Sequence, residues 1–370
     1  MIATRLFILI TILLGNILIP SDFTFKDIPV QENGRIKPLD TFARNQLLSI
    51  YSKRSLKTPA FPDIIGSKKM SAIDWFYDIA THPNDADKYR VFNIRNPEVV
   101  GSLGLKWDIN HLYNRNEILK GLQNQLDYIT KLQTLQEEDL TSFDQQMLHI
   151  YTNVIHFQEL CFSFSCLIDL IKIDDKVIAD IIGITPGESV SYYDVMKKAD
   201  VLNPFIKELT NKNKWTDSEI ALSGIITKLN EINQDNFARL IKIIPPENII
   251  SEGNWSSPWE LMEHGQIGIK QQQFLNSLSD YLNARLNGKE LVAKKILSEY
   301  KEALAPYQSI IEVNHLETET WYNHANLFVK STALYILAFL LLTISWMAKP
   351  IIIRNISYAC LLFGLAFHLY

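Results

Sequence analysis

The chain has 370 residues, 47% hydrophobic and 21% charged, with 36 Lys+Arg against 41 Asp+Glu and a formal net charge of -5. That balance excludes a disordered, collagen-like or disulfide-stapled chain. Without a basic excess to neutralise phosphates, no nucleic acid is expected among its partners.

The apolar residues are concentrated at the two ends. Residues 6–19, LFILITILLGNILI, form an uncharged run behind Arg5, the layout of a secretory signal. As a helix this run spans about 21 Å, short of the ~30 Å hydrocarbon core. No A-x-A-like site comes after it, because the next residues are Pro20, Ser21 and Asp22. Residues 1–20 therefore read as a signal peptide or an uncleaved N-terminal membrane anchor, and either one exports the segment after it.

The exported segment, residues 21–330, opens irregularly, with Asn33-Gly34 as a turn and Lys37-Pro38 as an extended dipeptide. Asp40 or Thr41 is placed to cap a helix through Phe42, Leu47 and Tyr51. Ile118, Leu119, Leu122, Leu126 and Ile129 predict a helix over 117–135. Phe143, Met147, Ile150, Val154, Phe157, Cys161, Phe164, Ile168 and Ile171 recur at three- and four-residue steps, which predicts one long amphipathic helix. Further helices are expected over 217–232, 271–286 and 289–304. Pro245-Pro246 and the stretch 253–258 suggest a sub-boundary near 200–250.

Few residues in this segment carry chemistry. Cys161 and Cys166, on the same predicted helix, lie about 7.5 Å apart along its axis and on different faces, beyond disulfide reach. Neither C-x-x-C nor C-x-x-C-H occurs, so the chain has no redox pair and no covalent haem attachment site of its own. His149 and His156 are about 10.5 Å apart along the helix, too far to share a metal ion. No hydrolase, zinc-protease, P-loop or dinucleotide motif is present, so no catalytic or metal residue is named.

Residues 331–348 form an uncharged stretch that reads as a transmembrane helix. Trp321, Tyr322, Phe328 and Trp346 flank it as interfacial aromatics. Lys349, Pro350 and Arg354 read as a basic cytoplasmic loop over 349–355, which puts residues 21–330 in the periplasm. The apolar run over 356–370 reads as the start of a second transmembrane helix. Its 15 residues would end in mid-bilayer, so a truncated chain with further helices after Tyr370 is expected. His368, an ionisable residue in that run, is a functional candidate by default. His324 reads as an interfacial anchor or as a contact to a haem or a neighbouring helix. The fold class is thus mostly α: an exported helical domain followed by transmembrane α-helices.

One stretch resembles a known family. PVQENGRIKPLDTFAR, residues 29–44, is similar to the PVQxGGRxKPLDTxAR segment of the CcsA/ResC-type cytochrome c assembly proteins of Bacteroidetes and related bacteria. Residues 91–105 and the membrane entry over 319–347 resemble the same family. Asn33 stands where the family has a glycine, and Ala325 and Val329 depart from its entry pattern.

The resemblance implies a System II protein of the cell inner membrane that handles haem and promotes its attachment to apocytochrome c on the outer side. It implies apocytochrome c, a CcsB/ResB-type membrane partner and the lipid bilayer as partners, and haem as cofactor. The family's tryptophan-rich WGxxWxWD loop, and with it the haem lyase activity, lies outside this chain, and Trp255 and Trp259 are not that loop. On this reading the chain is a scaffold or partner-docking portion, with His368 and His324 as its candidate haem-binding residues. The competing reading is a membrane-anchored periplasmic binding module with no haem role.

Overall fold

Asn33 and Gly34 adopt φ of 53° and 77°, the left-handed pair that closes a two-residue hairpin with the twist its strands require. β1 (Pro29–Glu32) and β2 (Arg35–Pro38) flank this turn antiparallel, Pro29 opposite Pro38 and Glu32 opposite Arg35. α1 (Leu39–Tyr51) joins β2 without a loop and starts ahead of both residues expected to cap it. Asp40 lies inside its first turn, buried, and accepts from Arg44 Nε at 2.7 Å.

The chain is described by a computed structural model, which covers residues 23–369 except 62–67, 210–213, 249–253, 265–266, 309–310, 312 and 348–349. The N-terminal apolar run, read as a signal or anchor, lies outside the described residues. With 66% helix and only short strands, the expected mostly α class is borne out.

β3 (Ser55–Lys57) pairs with β4 (Lys69–Ser71), and Ser71 caps α2 (Ala72–Thr81) by accepting from Asp74 N–H. β5 (Phe92–Asn93), α3 (Pro97–Ser102) and β6 (Leu112–Tyr113) lead to α4 (Arg115–Gln123) and α5 (Leu126–Leu132). The single helix expected over 117–135 is thus two. Gln125 leaves the helical path and donates from Nε2 to Ser102 O at 3.0 Å. Gly121 lies so close to residue 103 that a Cβ there would stand 2.3 Å from Leu103 O.

α6 (Ser142–Phe162) is opened by a capping box between Thr141 and Asp144. It ends nine residues short of the periodic pattern, and Phe164, Cys166 and Ile168 lie beyond it. Ser163 and Ser165 hydroxyls donate back to Glu159 O and Phe162 O, at 2.6 and 2.8 Å, which competes with helix continuation. Carbonyls past the break are taken by distant donors: Cys166 O by Tyr193 N–H, Leu167 O by Ser279 Oγ and Asn283 Nδ2. Cys166 is therefore not on the helix with Cys161, although both are free and buried.

β7 (Ile171–Lys172) and β8 (Ser189–Val190) bracket α7 (Lys176–Ile182). α8 (Tyr192–Met196), α9 (Ala199–Leu209) and α10 (Asp217–Asn233) come next. After them come α11 (Pro258–His264), α12 (Ile269–Leu286) and α13 (Glu290–Ala303). Three of these, α10, α12 and α13, match helices expected from periodicity.

The core gathers rings from elements far apart in sequence. Phe42 of α1 meets Phe76 of α2, Phe76 meets Phe164, and Phe157 of α6 meets Trp75 and Phe92, with centroids 5.4–6.2 Å apart.

Residues Thr24–Glu312 form one unit, so the sub-boundary expected near 200–250 is not found. Gln31 explains why. Its N–H donates to Lys242 O and its Oε1 accepts from Trp255 N–H, both at 2.9 Å, which laces the N-terminal hairpin to the proline-rich stretch.

The other unit contains α14 (Val313–Ala325), α15 (Leu327–Ser345) and α16 (Pro350–Leu369). Residues 313–330, expected within the exported domain, group by contact with these two long apolar helices. Stretches Leu327–Ser345 and Ile351–Leu369, 19 residues each, are long and apolar enough to cross a membrane. The loop expected over 349–355 is helical from Pro350 onward. α16 therefore has 20 residues, about 30 Å, where a run too short to cross the bilayer was expected.

Candidate functional site

α15 and α16 run antiparallel. Ser331 Oγ donates to Gly364 O at 2.8 Å, and Ser357 Oγ donates to Ala338 O at 2.7 Å. Leu334, Ala338 and Cys360 are buried between the helices, while Phe339, Leu340, Leu362 and Phe363 point outward. Small polar residues inside and large apolar ones outside invert the pattern of a soluble helix pair and suit lipid surroundings.

His368 occupies the last turn of α16. Its Nδ1 is 3.3 Å from Tyr335 Oη, and its ring centroid lies 5.7 Å from Phe328 and 6.0 Å from Tyr335. Gly364 makes room for this arrangement, since a Cβ there would stand 2.9 Å from Tyr335 Cε1. Elsewhere on α15, the Lys330 ammonium is enclosed, with no hydrogen-bond partner among the described residues.

His324 is exposed on α14, just before Asn326, whose left-handed backbone (φ 51°) turns the chain into α15. Trp321, Ala325 and Leu327 form a buried cluster there, and Phe367 packs on it. Both candidate histidines thus lie at the same end of this unit, but the described partners of His368 come from α15. Trp321, expected as an interfacial aromatic, is only 9% exposed, whereas Trp346 is 80% exposed as that role requires.

The helix histidine His149 has a structural role. Its Nε2 is 2.9 Å from Asn153 Nδ2, and Asn153 bonds to Ser49 O and Oγ, joining α6 to α1. Burial pushes the Cys161 thiol up to about 12 and the Cys166 thiol higher still, so neither supplies a thiolate.

Motif residues 29–44 are mostly engaged within the fold. Glu32 accepts from Lys37 Nζ, Gln46 Nε2 and Asn45 Nδ2 at 2.6, 2.7 and 3.2 Å. This stretch is tied to α1 through Glu32 and contains no cysteine or histidine.

A feature with no sequence signature lies in the Thr24–Glu312 unit. Asp169, Asp194 of α8 and Asp280 of α12 line a cleft of about 650 Å³ that is also bounded by α13. Burial pushes the Asp169 carboxyl up to about 6, helped by the charges of Asp194 and Asp280. Asp169 and Asp280 are over a hundred positions apart, and no short motif marks any of the three.

Burial likewise raises Asp235 to about 6, against the pull of Ser165 and Lys228. Both folded values exceed the usual unfolded value of ~3.9. The native state therefore holds more protons between about pH 4 and 6, and stability falls as pH rises through that window. Asp78 and Asp194 are shifted the other way, downward, by hydrogen bonds and lysine partners that outweigh burial, so their contribution is lost only in stronger acid. The urea midpoint of the Thr24–Glu312 unit should accordingly be higher at pH 5 than at pH 7.5, and Asp169→Asn should raise it at pH 7.5. A midpoint that falls on acidification to pH 5 would contradict this.

Compared with protein-family models, curated proteins and solved structures, the chain finds no match in any of the three.

Proposed function

We propose that the chain is the scaffold portion of a membrane protein for c-type cytochrome assembly. On this reading Thr24–Glu312 lies outside the cytoplasmic membrane and holds apocytochrome c or a CcsB/ResB-type partner, while α15 and α16 span the bilayer as part of a multi-pass protein. The observation that carries the reading is His368, an imidazole at the end of an apolar helix with an aromatic wall and a defined hydrogen-bond partner.

With Nδ1–H donating to Tyr335 Oη, the tautomer this reading requires, Nε2 would be left as an electron-pair donor, the arrangement that orients metal-bound histidines. His368 would hold haem through its ring nitrogen, with Phe328 and Tyr335 as its wall. Bound haem would supply the vinyl groups that cysteine thiols add to. The thiols would come from the partner, because Cys161 and Cys166 are buried and stay protonated.

The test is to extract the full chain in detergent from haem-replete cells and record its spectrum. A Soret band is expected, with haem affinity at least tenfold weaker in His368→Ala and nearly unchanged in His324→Ala. No band in the unaltered protein, or an identical spectrum in His368→Ala, rejects the reading. The Asp169 cleft favours the second reading, a membrane-anchored binding module.

A further inference from the structure

We propose that the loop between α3 and β6 rests on a phospholipid surface, with Trp107 and Ile109 in the headgroup layer and Lys106 beside anionic phosphates, an assignment that depends on α15 and α16 spanning the membrane but not on haem.

The loop is firmly held. Gly104 and His111, with left-handed φ of 63° and 58°, bracket it. At its start Gly104 N–H donates to Gly101 O and Leu105 N–H to Val100 O, at 3.0 and 2.9 Å. At its end Asp108 organises the turn, its Oδ1 accepting from Asn110 N–H at 2.7 Å and its carbonyl from His111 N–H at 3.0 Å. Ile94 N–H donates to His111 O at 2.9 Å, which ties the loop to the end of β5. A positive φ is uncommon outside glycine. At His111 it accompanies a ring that stands edge-on to Trp107, with centroids 4.8 Å apart.

This frame keeps large apolar side chains in the open. Trp107 is 54% exposed and Ile109 88% exposed. Single exposed apolar residues are ordinary, but here two share one turn whose backbone bonds would form equally well with polar side chains. Folding therefore does not account for them. The charges follow the same division. Asp108, the only acid between Leu105 and His111, turns its Oδ2 toward Arg90 Nη2 at 3.4 Å. Lys106 is exposed and makes no ion pair among the described residues, so it is the uncompensated charge of the loop.

Area and tethering select a lipid surface over a protein. Two side chains of this size offer on the order of 300 Å², well under the ~800 Å² per partner of a stable protein complex. A bilayer needs no such area from a protein already tethered to it, because the tether replaces free association by a high effective concentration. The chain carries its own tether in two helices long and apolar enough to cross a membrane. Tryptophan concentrates at membrane–water interfaces, where its ring meets apolar groups and its N–H stays wet. Lys106 is complementary to anionic headgroups.

Fluorine NMR of the full chain tests it, with fluorotryptophan at the seven tryptophans and the protein in nanodiscs of phosphatidylcholine and phosphatidylglycerol. The Trp107 resonance is identified by its loss in Trp107→Phe. A headgroup-spin-labelled lipid should broaden it at least threefold more than the resonance of Trp215, which is 45% exposed in the same unit. Trp346, 80% exposed at the end of α15, reports insertion itself. Broadening of Trp346 without Trp107 overturns this proposal and leaves the membrane reading standing, whereas broadening of neither overturns both.

Ile109→Asp alters a side chain that the fold barely touches. It should at least halve the broadening of Trp107 and leave the other resonances in place. Unchanged broadening in that variant, equal broadening of Trp107 and Trp215, or shielding of Trp107 only when apocytochrome c is added overturns the assignment, the last in favour of a polypeptide partner.

Discussion

Trp259→Ala should destabilise the Thr24–Glu312 unit by about 3–5 kcal/mol, the range for removing a large aromatic from a packed core. Trp259 is 1% exposed, with its ring centroid 5.2 Å from that of Tyr192. Its Nε1 donates to Phe162 O and Ser165 Oγ, both at 3.2 Å. The alanine variant therefore combines a cavity with the loss of a donor at the point where α6 is forced to end. Trp259→Phe keeps most of the volume and loses only the N–H, at a cost of about 1–2 kcal/mol. Urea denaturation of the full chain in detergent, followed by circular dichroism, separates the two contributions. Equal losses in both variants would show that the hydrogen bonds, and not the packing, dominate at this site.

Glu32→Ala should cost about 2–4 kcal/mol, near the range for breaking an enclosed ion pair by removing one partner. The Glu32 and Lys37 side chains are 14% and 9% exposed, and Glu32 is also the acceptor for Gln46 and Asn45. Its removal leaves the Lys37 ammonium enclosed without that carboxylate, and detaches the hairpin from α1. Removing Lys37 as well should recover part of the loss, which a double-mutant cycle in denaturant would read directly. A fully stable Glu32→Ala protein would mean that the hairpin is free to serve as a docking loop and not a rigid lead-in module. The contacts of Glu32 thus account for this segment by its folding requirements.

Much of the architecture was legible in the chain. The Asn33-Gly34 turn, the helices over 217–233, 269–286 and 290–303, and the apolar C-terminal pair arise from turn chemistry and periodicity. These act over a few residues and depend little on their packing partners. His368 stood out for the same local reason, as one ionisable side chain in an apolar run.

Other features were invisible at that scale. The periodic pattern runs on to Ile171, yet α6 stops at Phe162, because donors from Tyr193, Trp259, Ser279 and Asn283 claim the carbonyls around and beyond its end. A proline-rich stretch that read as a boundary is a seam, because Gln31 ties it to the first hairpin. The Asp169 cleft exists only because residues from separate elements converge on it. Local patterning by itself determined which segments are helical, turned or apolar. Where helices end, which segments share a core and which carboxylates meet were decided by tertiary structure, because each depends on a partner that the chain supplies from far away.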